Sequence, residues 1–323
     1  MKSIARLALG ACLAVQALFC GAQNAYPSEP IKLIVPFPAG GTLDGLARML
    51  QPKLSELLGQ SIIIDNINGA AGRVGTAKVV RSKPDGYTML MVFDTLPIDP
   101  IMFKASLTYN PLTDLAPVSL ITRSPLIAIG SLDIPPTNMA ELVAYAKQNP
   151  SKINYGSSGT GSSNHLAGAL FARTSETQMA HIPFNGGAPM MAALIGGHIN
   201  MTWATTGFAN QVMKSGKVRL LGQAAATRNR AFPDLKTLNE QGIPKFEIYS
   251  FFGLMAPAGT PDAIVQRWNQ ALAEVAKRPD SQAWFAQNGY EAVVSSPKEF
   301  GDFLQAENVK WGKIIKDENI SAQ

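Results

Sequence analysis

Beyond Ala22 the 323-residue chain has no cysteine: its only two, Cys12 and Cys20, lie close to the N-terminus. Disulfides, thiol nucleophiles and cysteine-based metal sites are thereby excluded from the remainder. Histidine is nearly as scarce. His165, His181 and His198 stand at spacings that match no usual metal-ligand pattern. No apolar run after Ala22 reaches the roughly 18 residues of a membrane-spanning helix. The formal net charge of +5 is spread out, without the basic run that nucleic acid requires. The phosphate-loop, nucleophile-elbow and His-Glu-x-x-His motifs are all missing, and the first apolar strand is not followed by Gly-x-Gly-x-x-Gly. No metal and no cofactor is expected. Ser162, Ser163 and His165 could suggest a serine hydrolase, but no third group to orient a base is evident. The plainer reading is that the serines cap a helix running to about Thr174 while His165 packs or hydrogen-bonds near its start.

The N-terminus itself is informative. Lys2 and Arg6 precede an apolar stretch from Leu7 to Phe19, and Cys20-Gly21-Ala22 supplies small residues for a cut after Ala22. This pattern predicts a cleaved secretory signal, with the mature protein in the periplasm. About 300 residues would remain, enough for two domains rather than one.

Two segments dominate that remainder. Ile31-Lys32-Leu33-Ile34-Val35 runs into Pro36-Phe37-Pro38-Ala39-Gly40-Gly41-Thr42 and then a helical pattern. Ile153-Asn154-Tyr155 runs into Gly156-Ser157-Ser158-Gly159-Thr160-Gly161-Ser162-Ser163 and another. Each reads as strand, loop and helix. The start of a helix carries unpaired N–H groups and partial positive charge, which suits an anion. Two such loops far apart in the sequence predict two lobes closing on one acidic small molecule.

The rest alternates strand and helix, an α/β pattern with mainly parallel sheets. Leu43, Leu46, Leu50, Leu54, Leu57 and Leu58 share one helical face; Pro52 should kink that helix and Gly59 end it. Strands are expected at 61–65, 87–93, 199–203 and 218–226, and helices at 139–148, 189–195, 261–276 and 297–316. Pro117–Gly130 reads as a strand crossing between lobes, and Phe246–Ala256 as the return. The first lobe is placed at 23–122 plus 230–323, the second at 123–229.

Several residues leave alternatives open. Asp44 can favour the dipole of its helix start, bond the loop amides or touch a ligand; an acid facing an anion would repel it, so the first two are preferred. Phe37, Phe93, Phe184, Trp203 and Phe208 fall in or near loops after strands, where either ligand contact or core packing suits them. Asp94 either receives an amine or hydroxyl of a ligand or caps the next turn.

The chain resembles the Bug family, TctC-like extracytoplasmic solute receptors of tripartite tricarboxylate transporters. The resemblance covers essentially the whole mature chain. It rests on Pro36-Phe37-Pro38-Ala39-Gly40-Gly41 with Asp44 and Ala47-Arg48, Gly69-Ala70-Ala71-Gly72, Pro84-Asp85-Gly86-Tyr87-Thr88, the Ser157–Ser163 loop with His165-Leu166-Ala167-Gly168, Ile195-Gly196-Gly197 and Ala256-Pro257-Ala258-Gly259-Thr260-Pro261. It implies a two-lobed periplasmic binding protein (type II-like) with the ligand cleft between the lobes and two crossing strands as hinge. It implies a carboxylate ligand, no catalysis, a membrane permease as partner and a monomeric receptor. Carried onto this sequence, one ligand carboxylate would meet Phe37, Ala39, Gly40 and Thr42 from the first loop and Ser158, Thr160, Ser163 and His165 from the second. Asp94, Phe184, Asn185, Trp203 and Thr205 would surround the rest.

This chain departs from the family where distal contacts are expected. Phe93-Asp94-Thr95-Leu96-Pro97 stands where a small-residue loop with Thr-His-Ala is usual, Phe184-Asn185 replaces Tyr-Lys, and Trp203-Ala204 replaces Phe-Asp. These changes predict an aromatic acid of the benzoate, phthalate, terephthalate or pyridine-carboxylate kind. The competing expectations are an aliphatic dicarboxylate or amino acid, or a solute sensor in place of a transport receptor.

Overall fold

The computed structural model describes residues 26–317, 319 and 320. The predicted signal, its cut after Ala22 and both cysteines lie outside the described residues. The first lobe is built on the parallel strands β1 (Ile31–Val35), β2 (Ile62–Asn66) and β3 (Thr88–Phe93), with β1 in the middle. Helix α1 (Thr42–Leu58) connects β1 to β2, and α2 (Arg73–Val80) connects β2 to β3. The leucine stripe explains α1: Leu43, Leu46, Leu50, Leu54 and Leu58 are all buried against the sheet. Pro52 is accommodated within the helix, and Gly59 ends it in the left-handed conformation. A short helix α3 (Asp99–Met102) follows β3.

Strand β4 (Leu115–Ser131) is long because it belongs to both lobes. Residues Leu115–Pro125 pair antiparallel with β9 (Tyr249–Pro257), which itself pairs with β3. Residues from Leu126 onward pair instead with β7 (Met201–Thr205) and β8 (Val218–Gln223). The expected crossing strand is therefore present. The return lies where the Ile248 N–H bonds to the Ala224 carbonyl, one residue before β9.

The second lobe repeats the plan of the first. Strand β5 (Ile153–Ser157) lies between parallel neighbours β6 (Met179–Pro183) and β7. Its helices are α4 (Met139–Gln148), α5 (Ser163–Thr174), α6 (Gly187–Ile195) and α7 (Thr206–Met213). Asn138 caps α4 by accepting from the Glu141 N–H. Residues 230–248, expected with the first lobe, instead travel with the second. The Gln223 N–H bonds to the Lys236 carbonyl, the Leu238 N–H bonds to Gln223, and Leu238, Phe246 and Ile248 sit in the second-lobe core. After β9 the chain returns to the first lobe through α8 (Asp262–Lys277), α9 (Pro279–Gln287) and β10 (Glu291–Ala292), and α10 (Pro297–Asp317) then packs Phe300 and Leu304 on the first lobe and Trp311 in the second-lobe core. Among the described residues no helix is long and apolar enough to cross a membrane.

Gly168 shows how closely α5 packs on β5. A methyl group there would overlap the ring of buried Tyr155. Gly168→Ala should therefore destabilise the protein by about 1–3 kcal/mol, although alanine favours a helix. Urea denaturation checks this; an unchanged or raised midpoint would show that the ring yields freely.

Candidate functional site

The first loop is held by its own acid. Asp44, in the first turn of α1, is 2% exposed and accepts from the Gly40 N–H (2.9 Å), Arg48 Nε (2.8 Å) and Asn66 Nδ2 (3.0 Å). Asn66 Nδ2 also donates to the Phe37 carbonyl. Burial raises the Asp44 carboxyl, but the bonds from Arg48, Gly40 and Asn66 outweigh it and hold the group below its usual range. Of the three readings of Asp44, two are met together: it lies in the first turn of α1, where an acid favours the dipole, and it bonds the loop amide. Gly40 thus gives its N–H to Asp44, and Ala39 is exposed.

The second loop is held by side chains from its own lobe. Asn164 Oδ1 accepts from the Ser158 N–H (3.1 Å), the Ser158 hydroxyl (3.0 Å) and the Ser162 hydroxyl (2.6 Å). Ser157 Oγ accepts from the Gly159 N–H and meets His181 Nε2 at 2.6 Å. The Gly161 N–H donates to His165 Nδ1 at 3.2 Å. The His165 ring stacks on His181 (4.0 Å, 24°), and His181 on Tyr155 (5.1 Å, 28°). Burial pushes His165 down to about 4, and burial together with His165 pushes His181 down to about 3. His165 therefore fixes the loop as a neutral acceptor, away from the cavity described below.

The depressed histidines have a pH consequence. Unfolded imidazoles titrate at about 6.5, so both rings should stay neutral in the folded protein at pH 5.5, and they draw it toward unfolding as the pH falls below about 6.5. Asp94 and Asp99 act with the opposite sign. Burial lifts both carboxyls to about 7, against the bonds of Ser250 and Ser163 at Asp94 and the Arg73 charge, 3.2 Å away, at Asp99. Imidazole 15N shifts test the histidines; a protonated pair at pH 5.5 would contradict the stacked, buried geometry.

Between the lobes lies a cavity offering about 50 Å3 to the centre of a water-sized sphere. The first lobe lines it with Phe37, Pro38, Gly41, Thr42, Leu43 and Phe93; the crossing strands add Leu126 and Ser250. The second lobe contributes Ser158, Asn164, Gly187, Met190, Ala204, Thr205 and Phe208. The lobes touch around it. Thr42 Oγ1 and Thr205 Oγ1 are 3.4 Å apart, and a side chain on Gly186 or Gly159 would strike Pro38 or Ala71. Both glycines also have left-handed φ, at +105° and +136°.

No charged side chain lines the cavity. Its polar groups are hydroxyls, the Asn164 amide and helix starts. α1, α6 and α7 begin at Gly41, Gly186 and Thr205, none with a side-chain cap, and Gly41, Thr42, Leu43, Gly187 and Thr205 line the space. An anion here would be met by main-chain N–H groups and hydroxyls, not by a cation. The opposite wall is apolar, with the Phe37 and Phe93 rings edge to face at 5.5 Å.

Of the residues expected at the site, Phe37, Thr42, Ser158 and Thr205 lie on this cavity. Thr160 is half-buried and Asn185 exposed, both off it. Phe184 packs against the second-lobe core. Trp203 is the clearest correction. It is fully buried, with its ring 5.3 Å from Phe246 and 5.7 Å from Phe171. Side chains alternate along β7, so Trp203 faces the core shared with α5 while Ala204 faces the cavity. Asp94 and Ser163 lie just behind the lining. Ser250 Oγ donates to Asp94 Oδ2, and Ser163 Oγ is 3.2 Å from Ser250 Oγ.

The sequence reading passed over Gly187, Asn164, Met190, Leu126 and Ser250. The first had a usable signal: Gly186-Gly187 opens a helix after a strand, the same grammar as the two loops singled out. Leu126 and Ser250 carry no such mark, because they belong to the crossing strands. Among the described residues, no group of three His, Cys, Asp or Glu side chains could hold a metal ion.

Two α/β lobes joined by crossing strands, with an uncharged, anion-ready cavity between them, define a solute-binding protein. Residues 46–320 match the Tripartite tricarboxylate transporter family receptor, and the chain belongs to that family. It is 31% identical over 320 residues to the "UPF0065 protein in tcbD-tcbE intergenic region" of Pseudomonas sp. (strain P51), covering 98% of this chain and 95% of that one. Among solved structures it resembles the periplasmic binding protein BugD (31% identity, TM-score 0.87, 92% of this chain and 100% of BugD). It is also similar to R. palustris Rpa4515 with adipate (32% identity, TM-score 0.89, 92% and 99%). The family and these neighbours are binding proteins, not enzymes.

Proposed function

We propose that the protein captures a small organic acid in the periplasm and delivers it, unchanged, to the membrane subunits of a tripartite tricarboxylate-type transporter. The observation that carries this reading is the start of α1, which opens uncapped on the cavity through Gly41, Thr42 and Leu43. One ligand carboxylate sits there, on main-chain N–H groups and the Thr42 and Thr205 hydroxyls. The body of the acid lies against Phe37, Phe93, Leu126, Met190 and Phe208. These surfaces favour a flat apolar body, so an aromatic acid such as benzoate or a pyridine-carboxylate suits them, without any part played by Trp203. The adipate held by Rpa4515 supports the alternative of an aliphatic acid. The lobes part about Pro125–Leu126 and Ile248–Tyr249, where strand pairing changes lobe.

A thermal-shift screen followed by calorimetry tests this. A ligand that binds only the folded protein at 100 times its Kd adds about 2.7 kcal/mol of stability. Benzoate or pyridine-3-carboxylate should raise the melting temperature more than adipate does. A larger shift with adipate would remove the aromatic assignment and keep the receptor; no shift with any carboxylate would remove both.

A further inference from the structure

The two lobes present equivalent strand–loop–helix units, β1 to α1 and β5 to α5, yet only one of the two helix starts is open. α1 has no side-chain cap and borders the cavity. α5 is closed. Ser162 caps it by accepting from the His165 N–H, and the loop N–H groups of Ser158, Gly159 and Gly161 are taken by Asn164, Ser157 and His165. In front of Ser163, the first residue of α5, stands a carboxyl group from the other lobe. It belongs to Asp94, the residue after cavity-lining Phe93.

Asp94 is 1% exposed. Its Oδ2 accepts from Ser250 Oγ, and Ser250 lines the cavity. Its Oδ1 has no hydrogen-bond partner of regular geometry, although the Ser163 hydroxyl and N–H face the same carboxyl. No lysine or arginine lines the cavity beside it, and Arg48 is held by Asp44. The second anion seat of the receptor is thus occupied from within, by a buried acid in hydrogen-bonded contact with the cavity wall.

We infer that Asp94 is a specificity-determining residue: by filling the seat at the start of α5 it restricts the receptor to acids with one carboxylate and turns diacids away. The inference rests on the receptor reading above and adds the charge of the ligand to it. A diacid seated at α1 would bring its second carboxylate toward Asp94 with no cation to offset the repulsion. At the effective dielectric of a partly buried site the bare repulsion over about 6 Å is worth roughly 100-fold, but burial lifts Asp94 to about 7, so uptake of one proton limits the penalty at pH 8 to about tenfold.

The test compares acids of equal size. Terephthalate, adipate and succinate are each titrated against their own monoamide, with benzoate alongside, by calorimetry at pH 8, above the value of about 7 to which burial lifts Asp94. Wild type should bind the monoamide about tenfold tighter than the diacid in any pair it accepts. Asp94→Asn keeps the shape of the side chain and removes its charge; it should bring the ratio to within about threefold of unity. Asp94→Ala, which also vacates the seat, should favour the diacid. A wild type that binds a diacid as well as its monoamide, or an Asp94→Asn ratio equal to that of wild type, overturns the inference and leaves the receptor intact. Binding of benzoate with no member of any pair means exclusion by size, and also overturns it. If neither benzoate nor any paired acid binds, the receptor reading itself fails.

Discussion

Thr42→Asp should lower the affinity for any carboxylate ligand by at least about 100-fold, with no loss of folding stability. Thr42 is the first residue of α1, whose start has no side-chain cap, and it lines the cavity. A carboxylate fixed there would occupy the main-chain N–H groups of that start and repel the ligand. At about 4 Å and an effective dielectric of 20 the repulsion alone is about 4 kcal/mol. The fold gains from the same change, because an acid in the first turn of a helix is worth about 0.3–1 kcal/mol. Weaker binding with an equal or higher melting temperature separates this effect from simple damage. Thr42→Val, which removes only the hydroxyl, should cost about 1.5–3 kcal/mol of binding if that group bonds the charged oxygen. Calorimetry decides: wild-type affinity in Thr42→Asp would mean that the acid is not held at the start of α1.

Asp44→Ala should destabilise the fold by about 1–2 kcal/mol, since it takes the acceptor from the Gly40 N–H and from one Asn66 bond at the partly buried edge of the loop. The effect carries its own pH signature. The folded-state carboxyl of Asp44 is held below its ordinary value, so the stability it contributes is complete above about pH 4, where the unfolded chain is also ionised. Below that the unfolded state takes up the proton first, and the contribution falls away as the pH drops through the folded-state value. The difference in unfolding free energy between wild type and Asp44→Asn should therefore be constant from pH 5 to 8 and shrink in stronger acid. A difference that instead grows in acid would show that Asp44 is not the acceptor holding the loop.

These two predictions fall on residues that the sequence marked, and the reason is local. Strand, Gly-rich turn and leucine-striped helix follow one another within a short span, and the ending of α1 at Gly59 and the Asn138 cap of α4 are decided by neighbours a few residues away. The crossing strand was legible for the same kind of reason: an unbroken β-rich run too long for one lobe must belong to both. For Asp44 the repulsion an acid would offer an anion disfavoured ligand contact and left the helix dipole and the loop amide, both of which lie within a few residues.

Other features had no local signature. Trp203 and Ala204 are adjacent, and which of them faces the cavity depends on the register of β7 between β4 and β5, strands distant in sequence. Residues 230–248 were placed in the wrong lobe because the bonds that hold them, to Gln223 and Ala224, form only once the sheet exists. Asp94 read equally well as a turn cap or a ligand contact; its partner Ser250 lies 156 residues away.

The sequence by itself determined that this is an α/β chain, without cysteine beyond Ala22 and with strand–loop–helix units suited to an anion, because composition and hydrophobic period act over a few residues at a time. Only the tertiary structure decided that the start of α1 borders the cavity uncapped while that of α5 is capped by Ser162 and faced by the buried Asp94. That outcome depends on where two lobes and a crossing strand meet, and on a buried carboxyl that accepts from the Ser250 hydroxyl, itself in contact with that of Ser163.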